Sequence, residues 1–329
     1  MTCRILQGDC REVLDTIPDS SVHCAVTSPP YFGLRDYGHD GQIGLEPTPD
    51  EFVNQMVLVF REVRRVLRDD GTLWLNLGDS YNSGPSGGLD GSTLDGGRDS
   101  QKERRKAQFH RAPGLKHKDL IGIPWRVAFA LQADGWYLRQ DIIWHKPNSM
   151  PESVTDRCTK AHEYIFLLSK SERYFFRCFR NSGAGCRIFD SEIKARHRAA
   201  TWIRPCAGKN EWAMKAVGGH DGKRNRRSVW TVTTKPFKGA HFATFPPDLI
   251  QPCILAGCPR GGTVLDPFGG AGTTGMVAER LLRNSVLIEL NPDYCQMARD
   301  RIRADGGKVE CALPEAKRDS GPLFDEAAE

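Results

Sequence analysis

Residues 263–289 constrain the fold more than any other stretch of the chain. Thr263-Val264-Leu265 reads as a strand running into Asp266-Pro267-Phe268-Gly269-Gly270-Ala271-Gly272-Thr273-Thr274. A helix is expected from about Thr274 to Leu282, then a strand from Ser285 to Ile288, with Glu289 at its end. Strand, glycine loop, helix, strand, acid is a unit of an α/β sheet that binds a nucleotide-like ligand. Glycines let the backbone approach the ligand, and the helix start offers free N–H groups. The acid, nineteen residues after Gly270, can accept hydrogen bonds from both hydroxyls of a ribose. The bland reading, a glycine turn joining strand to helix, does not explain why an acid stands at that place.

The first half of the chain supplies more of the same architecture. Arg4 to Gln7 reads as a strand ending at Gly8-Asp9, Arg11 to Ile17 as a helix, and Val22 to Thr27 as a second strand. Ser28-Pro29-Pro30 takes the chain out of the sheet, because consecutive prolines cannot continue a central strand. Thr48-Pro49-Asp50-Glu51 opens a helix with a capping box, and apolar residues recur from Phe52 to Leu67 at helical spacing. Thr72 to Leu77 is a mostly apolar strand, so it belongs in the sheet centre. Trp125 to Ala133 reads as a helix; Tyr137 to Trp144 and Glu163 to Leu168 read as strands. A helix opening at Pro246 and Asp248, and a last helix capped by Asn291 and running to about Arg303, complete the set.

Two stretches break the rhythm. Residues 83–118 are rich in Gly, Ser, Asp and basic residues and read as a mobile loop. Residues 177–237 are irregular and basic, with tryptophans at 202, 212 and 230, and read as an insert. The net charge of +5 says little, but its distribution says more. Arg104, Arg105 and Lys106 in the loop, and Arg224, Arg226 and Arg227 in the insert, could be phosphate-contacting groups or solvated side chains. The division expected is 1–176, a first half of the main domain; 177–237, an insert; 238–305, a ligand-binding half; and 306–329, a disordered tail.

Of the 329 residues, 39% are hydrophobic and 26% charged, as in soluble globular proteins. No apolar run has the length of a membrane span, and the N-terminus lacks the apolar core of a signal peptide, so a cytoplasmic protein without membrane association is expected. The eleven cysteines are scattered. Neither Cys253 with Cys258 nor Cys178 with Cys186 has the spacing of a zinc site, so no metal is expected.

Several of these motifs resemble one family. Asp266 to Thr274 resembles the cofactor loop of the amino-methylating DNA methyltransferases, and Ile288-Glu289-Leu290-Asn291 their second motif, whose acid holds the ribose. His241 to Pro246 resembles the segment over the methionine end of the cofactor, including Thr244, Phe245 and Pro246. Leu6-Gln7-Gly8-Asp9-Cys10 resembles the motif whose acid meets the adenine ring. Thr27-Ser28-Pro29-Pro30-Tyr31 resembles the catalytic motif. The resemblance implies S-adenosylmethionine as cofactor, held by Asp9, Cys10, Thr244, Phe245, Pro246, Asp266, Phe268, Gly270, Gly272, Thr273 and Glu289. This cofactor has no phosphate, and Asp266 in front of the loop suits its positive charge better than it suits a dinucleotide. Catalytic motif first and cofactor motif last is the order of the beta class. It implies a circularly permuted Rossmann-like methyltransferase sheet with target recognition in the insert.

The chemistry suits the residues. An exocyclic amino nitrogen is a poor nucleophile, because its lone pair is delocalised into the ring. Ser28 Oγ and the Pro29 carbonyl can accept its two hydrogens and free the lone pair. The prolines, Pro30 included, fix the backbone, and Tyr31 would stack on a base flipped out of duplex DNA. Serine before Pro-Pro-Tyr is typical of N4-cytosine enzymes in the family and aspartate of N6-adenine enzymes, so cytosine is favoured and adenine stays open. Ring-carbon methylation is disfavoured, because neither Pro205-Cys206-Ala207 nor Pro252-Cys253-Ile254 matches the Pro-Cys-Gln context of its nucleophile. Glutamine-methylating enzymes use a similar Asn-Pro-Pro-Tyr; Ser28 and the basic insert argue against them. Dimers are common in the beta class, and a homodimer stays open, as do the recognition sequence and any accompanying restriction enzyme.

Overall fold

The computed structural model describes residues 1–34, 38, 41–82, 112–177, 226–234 and 245–312. In chain order the elements are β1 (Thr2–Gln7), α1 (Cys10–Val13), β2 (Val22–Thr27), α2 (Pro49–Val66), β3 (Leu67–Leu77), α3 (Ile123–Ala133), β4 (Tyr137–His145), β5 (His162–Ser169) and β6 (Val229–Thr231). They continue with α4 (Pro247–Gly257), β7 (Thr263–Asp266), α5 (Thr273–Arg280), β8 (Asn284–Glu289), α6 (Pro292–Ala304) and β9 (Lys308–Ala312). The strands form one sheet in the order β6-β4-β5-β3-β2-β7-β8-β1-β9. Among the described strands, only β5 runs against the others. The chain's first strand lies between two of its last, β8 and β9, so the sheet is permuted as expected.

Both faces of the sheet are covered, and the strands show it by alternation. In β3, Leu73, Leu75 and Leu77 face one core and Trp74 the other; in β5, Phe166 and Leu168 oppose Ile165 and Leu167. The first core is closed by α1, α2 and α3 through residues such as Val13, Phe52, Phe60 and Val127. The second is closed by α4, α5 and α6 through Leu249, Ile254, Val277 and Ile302. Strands buried on both faces are what a mostly parallel sheet requires.

Local signals explain the helix starts. Thr48 Oγ1 accepts from the Glu51 N–H at 3.2 Å, one half of the expected capping box, and donates to the Glu51 carboxylate at 3.1 Å. Asn291 caps α6 by accepting from the Asp293 N–H at 2.8 Å. The first helix is shorter than its pattern: α1 ends at Val13 and a 3-10 turn covers Leu14–Thr16.

Two expectations are corrected. Composition puts the start of the tail at residue 306, but Lys308–Ala312 forms β9 against β1, pairing Val309 with Cys3. The outer edge of β1 offers backbone groups, and a short segment following α6 satisfies them. Composition also puts the insert at 177–237, but Val229–Thr231 is a strand of the main sheet, pairing Trp230 with Trp144 of β4. Trp230 is buried there and its ring meets that of Trp74 at 6.5 Å. Residues 83–111, 178–225 and 313–329 lie outside the described residues. Among the described residues, no helix is long and apolar enough to cross a membrane, and no cluster of three His, Cys, Asp or Glu is placed to hold a metal.

Candidate active site

The sheet order reverses between β2 and β7. From β7 the chain steps outward to β8, and from β2 it steps outward to β3. Loops leaving these strands therefore diverge and open a crevice at their C-terminal ends, where open α/β sheets bind ligands. Thr27 and Asp266 are the last residues of the two strands, and Thr27 Oγ1 donates to Asp266 Oδ1 at 2.6 Å. One hydrogen bond thus joins the catalytic-motif strand to the glycine loop.

Asp266 differs from its expected role. It is buried, and its carboxylate accepts from Thr27, from Thr274 Oγ1 at 2.5 Å and from the Phe268 N–H at 3.1 Å. It therefore clamps the loop from inside rather than presenting charge in front of it. Burial pushes its pKa up to about 6 despite the three donors.

The rest of the loop is held by backbone. Gly269 N–H donates to Ile288 O at 2.7 Å, and Gly272 N–H to Gly269 O at 2.9 Å. Gly272 sits at φ 74° as the cap of α5, and a Cβ there would lie 2.8 Å from Ala298 Cβ. Only glycine fits both the conformation and the space. Gly270 N–H donates to Glu289 Oε2 at 2.8 Å, while Glu289 Oε1 accepts from Asn291 N–H at 2.9 Å. The carboxylate keeps acceptor capacity beyond these bonds. Arg301, on α6, donates to Ala271 O at 3.1 Å and to Thr273 Oγ1 at 2.8 Å. Thr273 is thereby engaged from behind, whereas Phe268 is half-buried at the loop's front.

Gly8 N–H donates to Glu289 O at 3.0 Å, which places Asp9 beside Glu289 at the ends of neighbouring strands. Asp9 caps α1 and forms an ion pair with Arg11 at 2.5 Å. Burial alone would raise the Asp9 pKa, but the hydrogen bonds and charge of Arg11 outweigh it and hold the carboxyl below its usual range. The Cys10 thiol is buried and pushed up to about 12, which leaves its main chain for any ligand contact. Phe245 is half-buried and Pro246 caps α4; Thr244 lies outside the described residues.

On the other side of the crevice, Ser28 and Pro30 are half-buried and Pro29 is buried. Phe32 anchors the motif to the core, its ring 5.7 Å from that of Phe52. The Gly33 N–H donates to Gly44 O at 2.8 Å, closing the following loop behind Pro30 and Tyr31. Tyr31 OH donates to Glu163 Oε2 at 2.8 Å. Asn76 Nδ2 donates to the same oxygen at 3.2 Å and to Tyr164 O at 3.0 Å. Lys146 pairs with Glu163 Oε1, and its ammonium lies 4.3 Å from the centre of the Trp144 ring.

Arg11, Asn76, Lys146, Glu163 and Arg301 are not among the residues expected from sequence. Lys146 and Glu163 carry a signal: they are charged residues at strand ends on the ligand side of the sheet. Arg301 carries none, since it reads as one of several polar positions on α6. Of the expected phosphate contacts, Arg226 lies over the Trp230 ring at 4.1 Å, so it packs on the sheet edge; the Arg227 side chain is exposed. Arg104, Arg105, Lys106 and Arg224 lie outside the described residues.

The sequence pattern that defines the DNA methylase family (N6_N4_Mtase) matches residues 22–300. Type II methyltransferase M.Cfr9I from Citrobacter freundii is 47% identical over 309 residues, covering 93% of this chain and 89% of its own. Type II methyltransferase M.SmaI from Serratia marcescens is 47% identical over 308 residues, covering 92% and 91%. Among solved structures, TTHA0409 from Thermus thermophilus, complexed with S-adenosyl-L-methionine, has a TM-score of 0.56 at 24% identity, covering 94% of this chain and 99% of its own. The PvuII DNA methyltransferase (cytosine-N4-specific) has a TM-score of 0.59 at 17% identity, covering 96% of each chain. At these identities the two structures speak for the fold, a Rossmann-like methyltransferase sheet.

Proposed function

The chain belongs to the DNA methylase family, and on that premise we propose that it transfers a methyl group from S-adenosylmethionine to cytosine N4 at a specific site in duplex DNA. The observation that carries this reading is the Thr27–Asp266 hydrogen bond, which joins the strand leading into Ser28-Pro29-Pro30-Tyr31 to the strand leading into the glycine loop. Two relatives at 47% identity that are Type II methyltransferases support sequence-specific DNA as the substrate.

The residues fit the cofactor. The glycine loop leaves backbone where side chains would collide, and the Glu289 carboxylate keeps acceptor capacity for ribose hydroxyls. Asp9 stands one strand further, where the adenine end would lie, Phe245 and Pro246 are assigned to the methionine end, and Phe268 is assigned to the cofactor with the glycine loop. Bound S-adenosylmethionine supplies an electrophilic methyl group on a sulfonium centre. Ser28 Oγ and the Pro29 carbonyl would accept the two amino hydrogens of the flipped base and localise the nitrogen lone pair toward that methyl. Positioning and fixed dipoles then supply the rate. Ser28 in place of an aspartate favours cytosine.

The test is product identification. The protein is incubated with labelled S-adenosylmethionine and bacterial DNA, the DNA is digested to nucleosides, and the label is assigned. Label in N4-methylcytosine is expected. Label in N6-methyladenine would overturn the choice of base, and label in neither would overturn the reading.

A further inference from the structure

Tyr31 is held by more machinery than a stacking ring needs. Its hydroxyl donates to a carboxylate, Glu163 Oε2, at 2.8 Å. That carboxylate is itself fixed on both oxygens, by Lys146 on Oε1 and by Asn76 on Oε2. The side chains of Lys146 and Glu163 are 19% and 15% exposed, so their pairing is only partly screened by water. The four residues come from the motif loop, β3, the end of β4 and β5. Gly78, just past β3, meets the Tyr31 ring so closely that a Cβ there would collide with it. The ring is therefore clamped against backbone on one side and by its hydroxyl at the tip.

A phenol that donates to an anion gains electron density in its ring, because the hydrogen bond polarises the O–H bond. An electron-rich ring face attracts a cation more strongly. Methyl transfer to an amino nitrogen moves the positive charge of the sulfonium onto the base until the nitrogen loses a proton. We propose that Glu163 is a positioning residue that, through the Tyr31 hydroxyl, makes that ring an electron-rich platform for the base as it becomes cationic. Lys146 keeps the carboxylate in place, and Asn76 holds Oε2 through Nδ2 while its Oδ1 stands 3.4 Å from the phenol oxygen. The inference rests on the methyl-transfer reading above.

A double-mutant cycle tests it, read by single-turnover methyl transfer to a DNA substrate at saturating cofactor and by cofactor affinity measured separately. Glu163→Gln should slow transfer about tenfold while cofactor affinity stays within about twofold. Tyr31→Phe should slow transfer further, because it removes the hydroxyl through which Glu163 acts. In the Tyr31→Phe protein, Glu163→Gln should then cost about twofold or less. A tenfold loss repeated in that background, or no loss in the single variant, would overturn the proposal. If Glu163→Gln does not fold with Lys146 left unpaired, Glu163→Gln with Lys146→Met removes both charges together, and the same comparison is made with and without Tyr31→Phe. An unaltered protein that transfers no methyl group would count against the function itself, which separates the two failures.

Discussion

The two walls of the crevice are built differently. The glycine loop is held mostly by short-range backbone bonds and by residues near it in sequence: Gly269 to Ile288, Gly272 to Gly269, Thr274 to Asp266, with Arg301 reaching back from α6 and Thr27 joining Asp266 from a distant strand. The Ser28–Tyr31 wall is held by side chains from distant strands, with Asn76 and Glu163 standing 45 and 132 positions away from Tyr31. A wall made of local backbone can present a preformed surface to a ligand. A wall made of converging side chains can aim single groups. The first arrangement suits holding a cofactor, and the second suits turning a base into a nucleophile.

That contrast predicts two kinetic signatures. Ser28→Ala should have the largest effect, slowing methyl transfer about 10²-fold with cofactor affinity unchanged, read by single-turnover rates and equilibrium titration. Loss of cofactor binding in that variant would break the contrast. Glu289→Gln should do the reverse. It should weaken cofactor affinity by roughly ten- to a hundredfold, because the charge-assisted bonds to the ribose proposed for Glu289 would be weakened, and leave the saturated rate close to normal. Arg301→Met should weaken affinity by about three- to tenfold, since the Ala271 carbonyl and Thr273 hydroxyl lose their shared donor but the glycine loop keeps its own bonds.

The smallest effect expected is a pH dependence of stability. Asp266 in the folded protein has a pKa raised to about 6 from 3.8, so the folded state holds this proton over a range where the unfolded chain has lost it. Its contribution to stability is therefore full below the unfolded value and is lost as pH rises through about 6. Asp266→Asn should flatten the stability profile between about pH 4 and 6 relative to the unaltered protein, measured by denaturant titration. An unchanged profile would mean that the clamp carries its charge without cost.

The same contrast explains what could be read from sequence. The glycine loop, Glu289 and the helix caps are local patterns, and their elements fall close to where periodicity puts them. Ser28–Tyr31 is legible as a chain exit at a strand end. Its supporting shell shows only as charged residues at strand ends, because no spacing rule links Tyr31 to Glu163, and a glutamate at the start of a strand has many ordinary uses. Asp266 is legible as part of the motif, but its inward orientation follows from Thr27, which belongs to a strand far away in sequence. β9 escapes a sequence reading because five residues of mixed polarity carry little signal until the open edge of β1 is known.

The placement of β1 has a consequence for how the protein is made. Of the described strands it leaves the ribosome first, yet its neighbours are made last: Cys3 pairs with Ser285 of β8 and with Val309 of β9. At about 5–20 residues per second, the wait is on the order of tens of seconds. Throughout that time β1 lacks both of its sheet neighbours, and Thr27 cannot reach the aspartate made 239 residues later. A nascent chain of this protein thus cannot assemble the crevice until β7 and β8 have emerged, and β1 waits for its sheet neighbours through most of synthesis.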